Sequence, residues 1–262
     1  MVICALSARS ETRVTPTRTA LVTGSTRGIG KAIAFRLLRE GYAAALNYRD
    51  DRSGAAGVME EARALSQSTL ALQGDVSRPE ECDRLVLDAI RKLGHLDVLV
   101  NNVGPFLERP LGETTDAEWR EMIDGNLGSA FWCSRAVLPS MRQRRTGCIV
   151  NVSALNAEVS PGMTHEAPAY FVAKTALAMM TKSMARLEGR HGIRVNAVSP
   201  GFIETDSYAD WHPDEQARWR DQIPLGRFGR PDDVADAVAF LVSDRAAYVS
   251  GAVLHVHGGL WI

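Results

Sequence analysis

From Thr19 onward, short apolar runs rich in β-branched residues alternate with longer stretches in which apolar residues recur every three or four positions. The runs Thr19–Thr23, Ala43–Asn47, Thr69–Gln73, Leu96–Asn101, Cys148–Ser153, Arg194–Val198 and Val253–His257 predict strands. Most are continuously apolar rather than alternating, as a strand covered on both faces must be. Helical periodicity falls between them, over residues 28–40, 54–67, 79–93, 116–142, 168–189 and 231–243, and the fourth stretch is long enough to be broken. Pro79 and Pro231 stand where a first-turn proline belongs, each followed by acidic residues that suit the positive end of a helix. The alternation predicts an α/β fold, a doubly wound parallel sheet of about seven strands with helices on both faces.

The stretch 168–189 carries two apolar stripes. Ala173, Leu177, Met180, Met184 and Leu187 lie on one side, and Ala169, Val172, Ala176 and Met179 on the adjacent one. One sheet face cannot cover both, so the surplus stripe is either wide core contact or a surface for another subunit. The subunit reading is the expectation, supported by the apolar ending Leu260-Trp261-Ile262.

Composition narrows the classes of partner. The 262 residues are 45% hydrophobic and 23% charged, enough for a full core in one large domain. Thirty Lys plus Arg against 31 Asp plus Glu leave a net charge of −1, so no global basic field exists to hold nucleic acid or an anionic membrane. No apolar run approaches the roughly 20 residues of a membrane span. Cys4, Cys82, Cys133 and Cys148 are scattered without a Cys-x-x-Cys pair, which implies a reducing, cytoplasmic setting. Residues 1–17 are read as a flexible extension preceding a single domain over 18–262. Their arginines, with Arg18, and their Ser/Thr content also allow a transit-peptide reading.

The chemistry-bearing residues fall at turns after strands. Thr23-Gly24-Ser25-Thr26-Arg27-Gly28-Ile29-Gly30 follows the first strand and opens directly into a helix. Glycines let the backbone approach a pyrophosphate, while a helix N-terminus offers it unpaired N–H groups and positive dipole. Tyr170 and Lys174, four apart on a helix, share one face. An ammonium beside a phenol favours the phenolate, which brings a group of ordinary pKa ~10 toward neutral proton exchange. His255-x-His257 places two imidazoles on one side of the last strand, but no third ligand has convincing spacing, so no metal site is expected.

The spacing Gly-x-x-x-Gly-x-Gly resembles that of the short-chain dehydrogenase/reductase family, and five further motifs agree in order. Gly74-Asp75-Val76 resembles the family's adenine-binding Asp-Val, and Asn101-Asn102-Val103-Gly104 its Asn-Asn-Ala-Gly turn. Asn126 matches the Asn of the central helix, Tyr170 to Lys174 the Tyr-x-x-x-Lys motif, and Ser199 to Asp206 the segment that closes on the nicotinamide. The resemblance covers about residues 18–262 and implies a Rossmann-type domain with a substrate lid near 202–225. It implies Tyr170, Lys174 and Asn126 as catalytic residues. The cofactor would lie against Gly24, Ser25, Thr26, Arg27, Gly28, Ile29, Gly30, Asp75, Val76, Asn102, Gly104, Tyr170, Lys174, Pro200, Gly201, Ile203 and Thr205. Within the family the lid and C-terminal segments look most like 3-oxoacyl-acyl-carrier-protein reductases; carbonyl, quinone or pteridine reduction and a non-catalytic NADP-binding regulator are the alternatives.

Two positions refine this picture. NAD-selecting sites normally end the second strand with an acid, whereas here Tyr48 stands there, followed by Arg49 and faced by Arg27. Two guanidinium groups suit a 2′-phosphate, so NADP(H) is the expected cofactor. Where the family has a second serine to bind the substrate carbonyl, Asn151-Val152-Ser153 is followed by Ala154. A replacement donor is expected from Ser153, if the strand end shifts register, or from the long 155–169 segment with Ser160, Thr164 and His165. Tyr208, Trp211, His212 and Trp219 suggest a partly aromatic pocket wall. Arg145 matches an arginine with which such reductases dock acyl carrier protein.

Overall fold

A computed structural model describes residues 18–155, 166–206 and 211–260. The expectations for residues 1–17, Ser160, Thr164, His165, Tyr208, Trp261 and Ile262 lie outside the described residues. Seven strands, β1 (Thr19–Val22), β2 (Ala43–Tyr48), β3 (Thr69–Gln73), β4 (Val98–Asn101), β5 (Gly147–Val152), β6 (Ile193–Pro200) and β7 (Val253–Val256), form one parallel sheet. Their order is β3-β2-β1-β4-β5-β6-β7, so the winding reverses between β1 and β4. A doubly wound sheet binds ligands outside the carboxyl ends of its strands at such a reversal.

Among the described residues eight α-helices connect the strands: α1 (Gly28–Arg39), α2 (Arg52–Leu65), α3 (Pro79–Leu93), α4 (Asp116–Ile123), α5 (Ser129–Arg144), α6 (Pro168–Glu188), α7 (Pro213–Asp221) and α8 (Pro231–Val242). Proline opens α3, α6, α7 and α8, where its missing N–H removes no helical hydrogen bond. The pleat sends consecutive strand residues to opposite layers. Val22, Val100 and Val150 pack with Ile33 and Leu37 of α1 and Val238 of α8. Leu21, Leu99 and Ile149 pack with Leu85 of α3 and Val137 and Met141 of α5. Each such side chain, fully buried, contributes about 1.5–3 kcal/mol.

The stretch 116–142 is broken, as its length allowed: two helices are joined by a π-helical turn over Asp124–Gly128, and the second continues to Arg144. The structure corrects the sequence reading in two places. Helix α7 was not predicted, because Pro213–Asp221 has good start signals but no apolar stripe. On α6 neither stripe is uniform: Ala173 and Leu177 of the first are buried but Leu187 is exposed, and Val172 and Met179 of the second are exposed but Ala169 is buried.

Buried polar side chains fix how these elements register. Asn101 Nδ2 of β4 donates to Ser134 Oγ of α5 at 3.1 Å and to Asn151 Oδ1 of β5 at 2.9 Å. Asn151 Nδ2 in turn donates to Thr181 Oγ1 of α6 at 2.9 Å. At the amino ends of the strands, a cavity of about 1040 Å³ is lined by Arg18, Asp97, Arg144, Arg194 and Asp244, among others. There Arg18 pairs with Asp244, Arg144 with Asp97, and Arg194 with main-chain carbonyls. Asn151→Ala should lower the unfolding free energy by about 2 kcal/mol, since it strips partners from both Asn101 and Thr181. Urea denaturation with an unchanged midpoint would contradict this role.

Candidate active site

The glycine loop after β1 is shaped from within. Gly24 and Gly28 take positive φ of 59° and 51°, which a side chain would strain. A Cβ on Gly24 would come within 2.7 Å of Val103 Cγ2, and one on Gly30 within 2.3 Å of the Gly24 carbonyl oxygen. Asn47 at the end of β2 ties the loop down: its Oδ1 accepts from Gly24 N at 3.0 Å, and its Nδ2 donates to Gly74 O at 3.0 Å. Ser25 is fully buried, with its hydroxyl donating to Val22 O and accepting from Asn47 N, so its side chain shapes the turn and does not face the mouth. Asn102 Nδ2 donates to Thr23 O and Gly24 O, clamping the β4 turn onto the loop.

The N-terminus of α1 has no side-chain cap and no acid in its first turn. Its leading N–H groups therefore suit an anion supplied from outside, and a dinucleotide pyrophosphate fits them. Arg27 and Arg49 are exposed beside this mouth, and Arg49 Nε pairs with Asp50 at 2.5 Å. Tyr48 is half-buried at the end of β2. Asp75 Oδ1 accepts from Ser77 N and Oγ, holding the turn into α3, while Val76 and Ile203 turn into the core. A Cβ on Gly28 would meet Thr205 Cγ2 at 3.6 Å, so the segment after β6 reaches back to the glycine loop.

The second cluster forms where β5, α6 and the π turn converge. Lys174 is fully buried, and its Nζ donates to Val152 O at 2.8 Å. Asn126, carried by the π turn, is also fully buried; its Nδ2 donates to Pro105 O and Met122 O, while its Oδ1 has no partner among the described residues. Gly104 marks the meeting point, because a Cβ there would come 2.4 Å from Asn126 Oδ1 and 2.7 Å from Lys174 Nζ. A buried orphan acceptor beside an ammonium fits an ordered water. Tyr170 lies one turn before Lys174, with Lys174 Nζ 5.8 Å from its ring centroid and Phe106 edge-on at 5.0 Å.

Ser153 keeps strand register: its N–H donates to Val198 O at 2.8 Å, one step beyond the Val152 pairing with Val198. Its hydroxyl donates to Lys174 O at 3.2 Å and so braces α6. Ala154 is nearly buried, and its carbonyl accepts from Ser199 Oγ at 2.6 Å. The register shift that would turn Ser153 toward a substrate does not occur. Trp211 and Trp219 pack on Phe202, with ring centroids at 5.8 and 4.9 Å, in a satellite core with Ile223, Phe228 and Leu260. Sequence reasoning placed Asn101 and Asn151 in motifs without giving their side chains a role, and it passed over those of Asn47 and Thr181; all four tie together the elements around the two clusters.

A family model described as enoyl-(acyl carrier protein) reductase matches residues 24–261. The chain belongs to the short-chain dehydrogenase/reductase family. It is 39% identical to a 3-oxoacyl-[acyl-carrier-protein] reductase FabG of Staphylococcus aureus over 94% of this chain and 99% of that one. It is 38% identical to a protein of the same name from Vibrio harveyi, over 93% and 97% of the two chains. The fold also matches the crystal structure of acetoin dehydrogenase YohF from Salmonella typhimurium, with 32% identity and a TM-score of 0.83 over 93% and 96% of the chains. Short-chain dehydrogenases/reductases are nicotinamide-dependent oxidoreductases, and both clusters lie outside the carboxyl ends of the strands.

Among the described residues no helix is long and apolar enough to cross a membrane, and no three His, Cys, Asp or Glu gather as metal ligands. Burial pushes the Lys174 ammonium down to about 7 from the usual 10.5. The unfolded chain thus holds this proton more tightly than the folded one, and stability should rise between about pH 7 and about pH 10.5, by up to about 1.4 kcal/mol per pH unit. Lys174→Met should lack this slope. Chemical denaturation of both proteins across that range is the test, and parallel pH dependences would contradict the assignment.

Proposed function

We propose that the protein is an NADPH-dependent ketone reductase, most similar in task to a 3-oxoacyl-acyl-carrier-protein reductase. The observation that carries this reading is the convergence of Tyr170, Lys174, Asn126 and Gly104 beside the uncapped N-terminus of α1. The bound cofactor would supply the hydride, and α1, Gly24 to Gly30, Asn102 and the Pro200–Thr205 segment would hold it. Tyr170 gives its phenolic proton to the developing alkoxide. Lys174 stabilises the phenolate that remains and binds the nicotinamide ribose. Asn126 Oδ1 holds a water through which Lys174 regains a proton from solvent.

Arg27 and Arg49 support the choice of NADP(H), since both are exposed near the end of β2, where Tyr48 replaces the acid that selects NAD. Arg145 supports an acyl-carrier partner. It holds a left-handed conformation at the end of α5, with φ 54°, is exposed, and its guanidinium donates to Arg190 O. The exposed Phe131 of α5 with Val172 and Met179 of α6 supports assembly as a homotetramer. A cytoplasmic enzyme is the matching setting.

Ala154 favours a second reading, reduction of a different carbonyl compound. The hydroxyls of Ser153 and Ser199 are both engaged by main-chain carbonyls, so neither replaces the missing donor. NADPH consumption measured against β-ketoacyl thioesters, diketones, quinones and pterins separates the two readings. Tyr170→Phe should reduce kcat by about 10²- to 10⁴-fold, and Arg49→Ala should narrow the preference for NADPH over NADH. A Tyr170→Phe protein with unimpaired turnover would overturn the mechanism.

One missing donor at a developing oxyanion costs roughly 10²- to 10³-fold in rate, which slows such an enzyme without abolishing its activity. Ala154→Ser should therefore raise kcat on a simple ketone by about tenfold or more. Absence of any gain would assign the donor to the 155–169 segment instead.

A further inference from the structure

His257 stands just past β7, where two separate segments meet. Gly201 N donates to Val256 O at 3.0 Å, extending the β6–β7 pairing by one step. That brings Gly201 against the imidazole-bearing residue, since a Cβ on Gly201 would lie 2.7 Å from His257 Cβ. The chain then turns through two consecutive left-handed glycines, Gly258 at φ 66° and Gly259 at φ 87°. Gly258 O accepts from Leu225 N at 3.1 Å, and a Cβ on Gly258 would come 2.7 Å from Ile223 Cγ2. The turn thus touches Gly201, which leads out of β6, and Ile223–Leu225, which follows α7.

The ring itself sets the turn. Gly259 N donates to His257 Nδ1 at 3.2 Å, so the neutral ring carries its proton on Nε2. Nε2 is buried and has no hydrogen-bond partner among the described residues. Of the titratable groups, His255 on β7 faces the ring, with centroids 5.1 Å apart. The packed segments Pro200–Gly201 and Ile223–Leu225 contribute only main chain and apolar side chains. Burial first, and the neighbouring His255 second, hold His257 below the ordinary imidazole range, so it is neutral at pH 7.

We propose that His257 is a positioning residue: its neutral ring locks the Gly258–Gly259 turn that holds Gly201 and Ile223–Leu225 in place, and protonation unlocks it. A second proton on the ring must sit on Nδ1, where it meets the Gly259 N–H donor to donor. The same proton charges a half-buried ring whose Nε2 is shut off from water, and among the described residues no carboxylate is placed against it. Both effects oppose the turn as built. The consequence for the reaction is that the Pro200–Gly201 stretch beside the proposed nicotinamide position loses its support on acidification. This consequence rests on the proposed cofactor site, whereas the unlocking itself does not.

The test is amide hydrogen exchange of the full-length protein without ligand, between about pH 5 and about pH 8, corrected for intrinsic rates. Amides of Gly201–Glu204, Ile223 and Leu225 should lose protection by about tenfold toward the acid end, the loss of roughly one net hydrogen bond. His257→Asn offers Gly259 N–H an acceptor that does not titrate, and it should stay protected throughout. His255→Asn should keep the loss and move it to higher pH, because one of the two causes depressing His257 is gone. Flat protection in the wild type, or the same acid loss in His257→Asn, would overturn the proposal. NADPH titrations over the same range read the functional consequence separately. Acid loss of protection with unchanged affinity would place the fault in the cofactor reading and leave the role of His257 standing.

Discussion

The constraint on which the site depends is the burial of one ammonium group. Lys174 is removed from water and held by Val152 O, and its lowered proton affinity arises from desolvation. Such a group is costly wherever it is charged. The surroundings are arranged to accommodate it rather than to neutralise it. Gly104 leaves room beside Nζ, the π turn between α4 and α5 presents Asn126 Oδ1 to the same space, and Ser153 braces the carbonyl of Lys174 from below. A regular helix through residues 124–128 would rotate Asn126 away from this point. Departures from regular helix are often found at functional sites for this reason.

The two clusters are brought together by the sheet reversal between β1 and β4. The turns after those strands touch through Gly24 and Val103 and are joined by Asn102. Asn47 extends the connection to β3. The opposite end of the sheet carries Arg18–Asp244 and Arg144–Asp97 pairs, so its charges are spent on each other. At the carboxyl end, by contrast, α1 begins uncapped and Asn126 keeps an open acceptor. The asymmetry between paired and unpaired polar groups separates the end that holds the fold from the end proposed for chemistry.

Much of this was legible in the sequence because it depends on spacing within single elements. Seven apolar runs gave the strands to within a residue or two at most ends, and the interval between Tyr170 and Lys174 put both on one helix face. What was illegible depends on contacts between distant residues. Asn151 and Thr181 are 30 positions apart and read individually as ordinary polar residues, yet they join β5 to α6. The role of Ser153 turned on whether the strand end shifted register, which only the pairing with Val198 decides. Helix α7 escaped because its stability comes from Trp211 and Trp219 docking on Phe202, a tertiary effect without helical periodicity.

Ala154 and Lys174 pull the functional reading in opposite directions, and their magnitudes decide between them. An alanine in place of a donor removes one hydrogen bond to a reacting oxygen and leaves the proton source intact. A fully buried lysine without a facing carboxylate is a standing destabilisation, of a kind that an apolar residue of similar volume would relieve. A fold used only as a scaffold would have no use for that burden, nor for an orphan acceptor on Asn126 beside it. Strain of this kind belongs where a proton must be held and passed on. The pairing of a missing accessory donor with a costly proton-transfer group therefore argues for a working reductase with an altered carbonyl pocket, rather than for a nucleotide-binding relic.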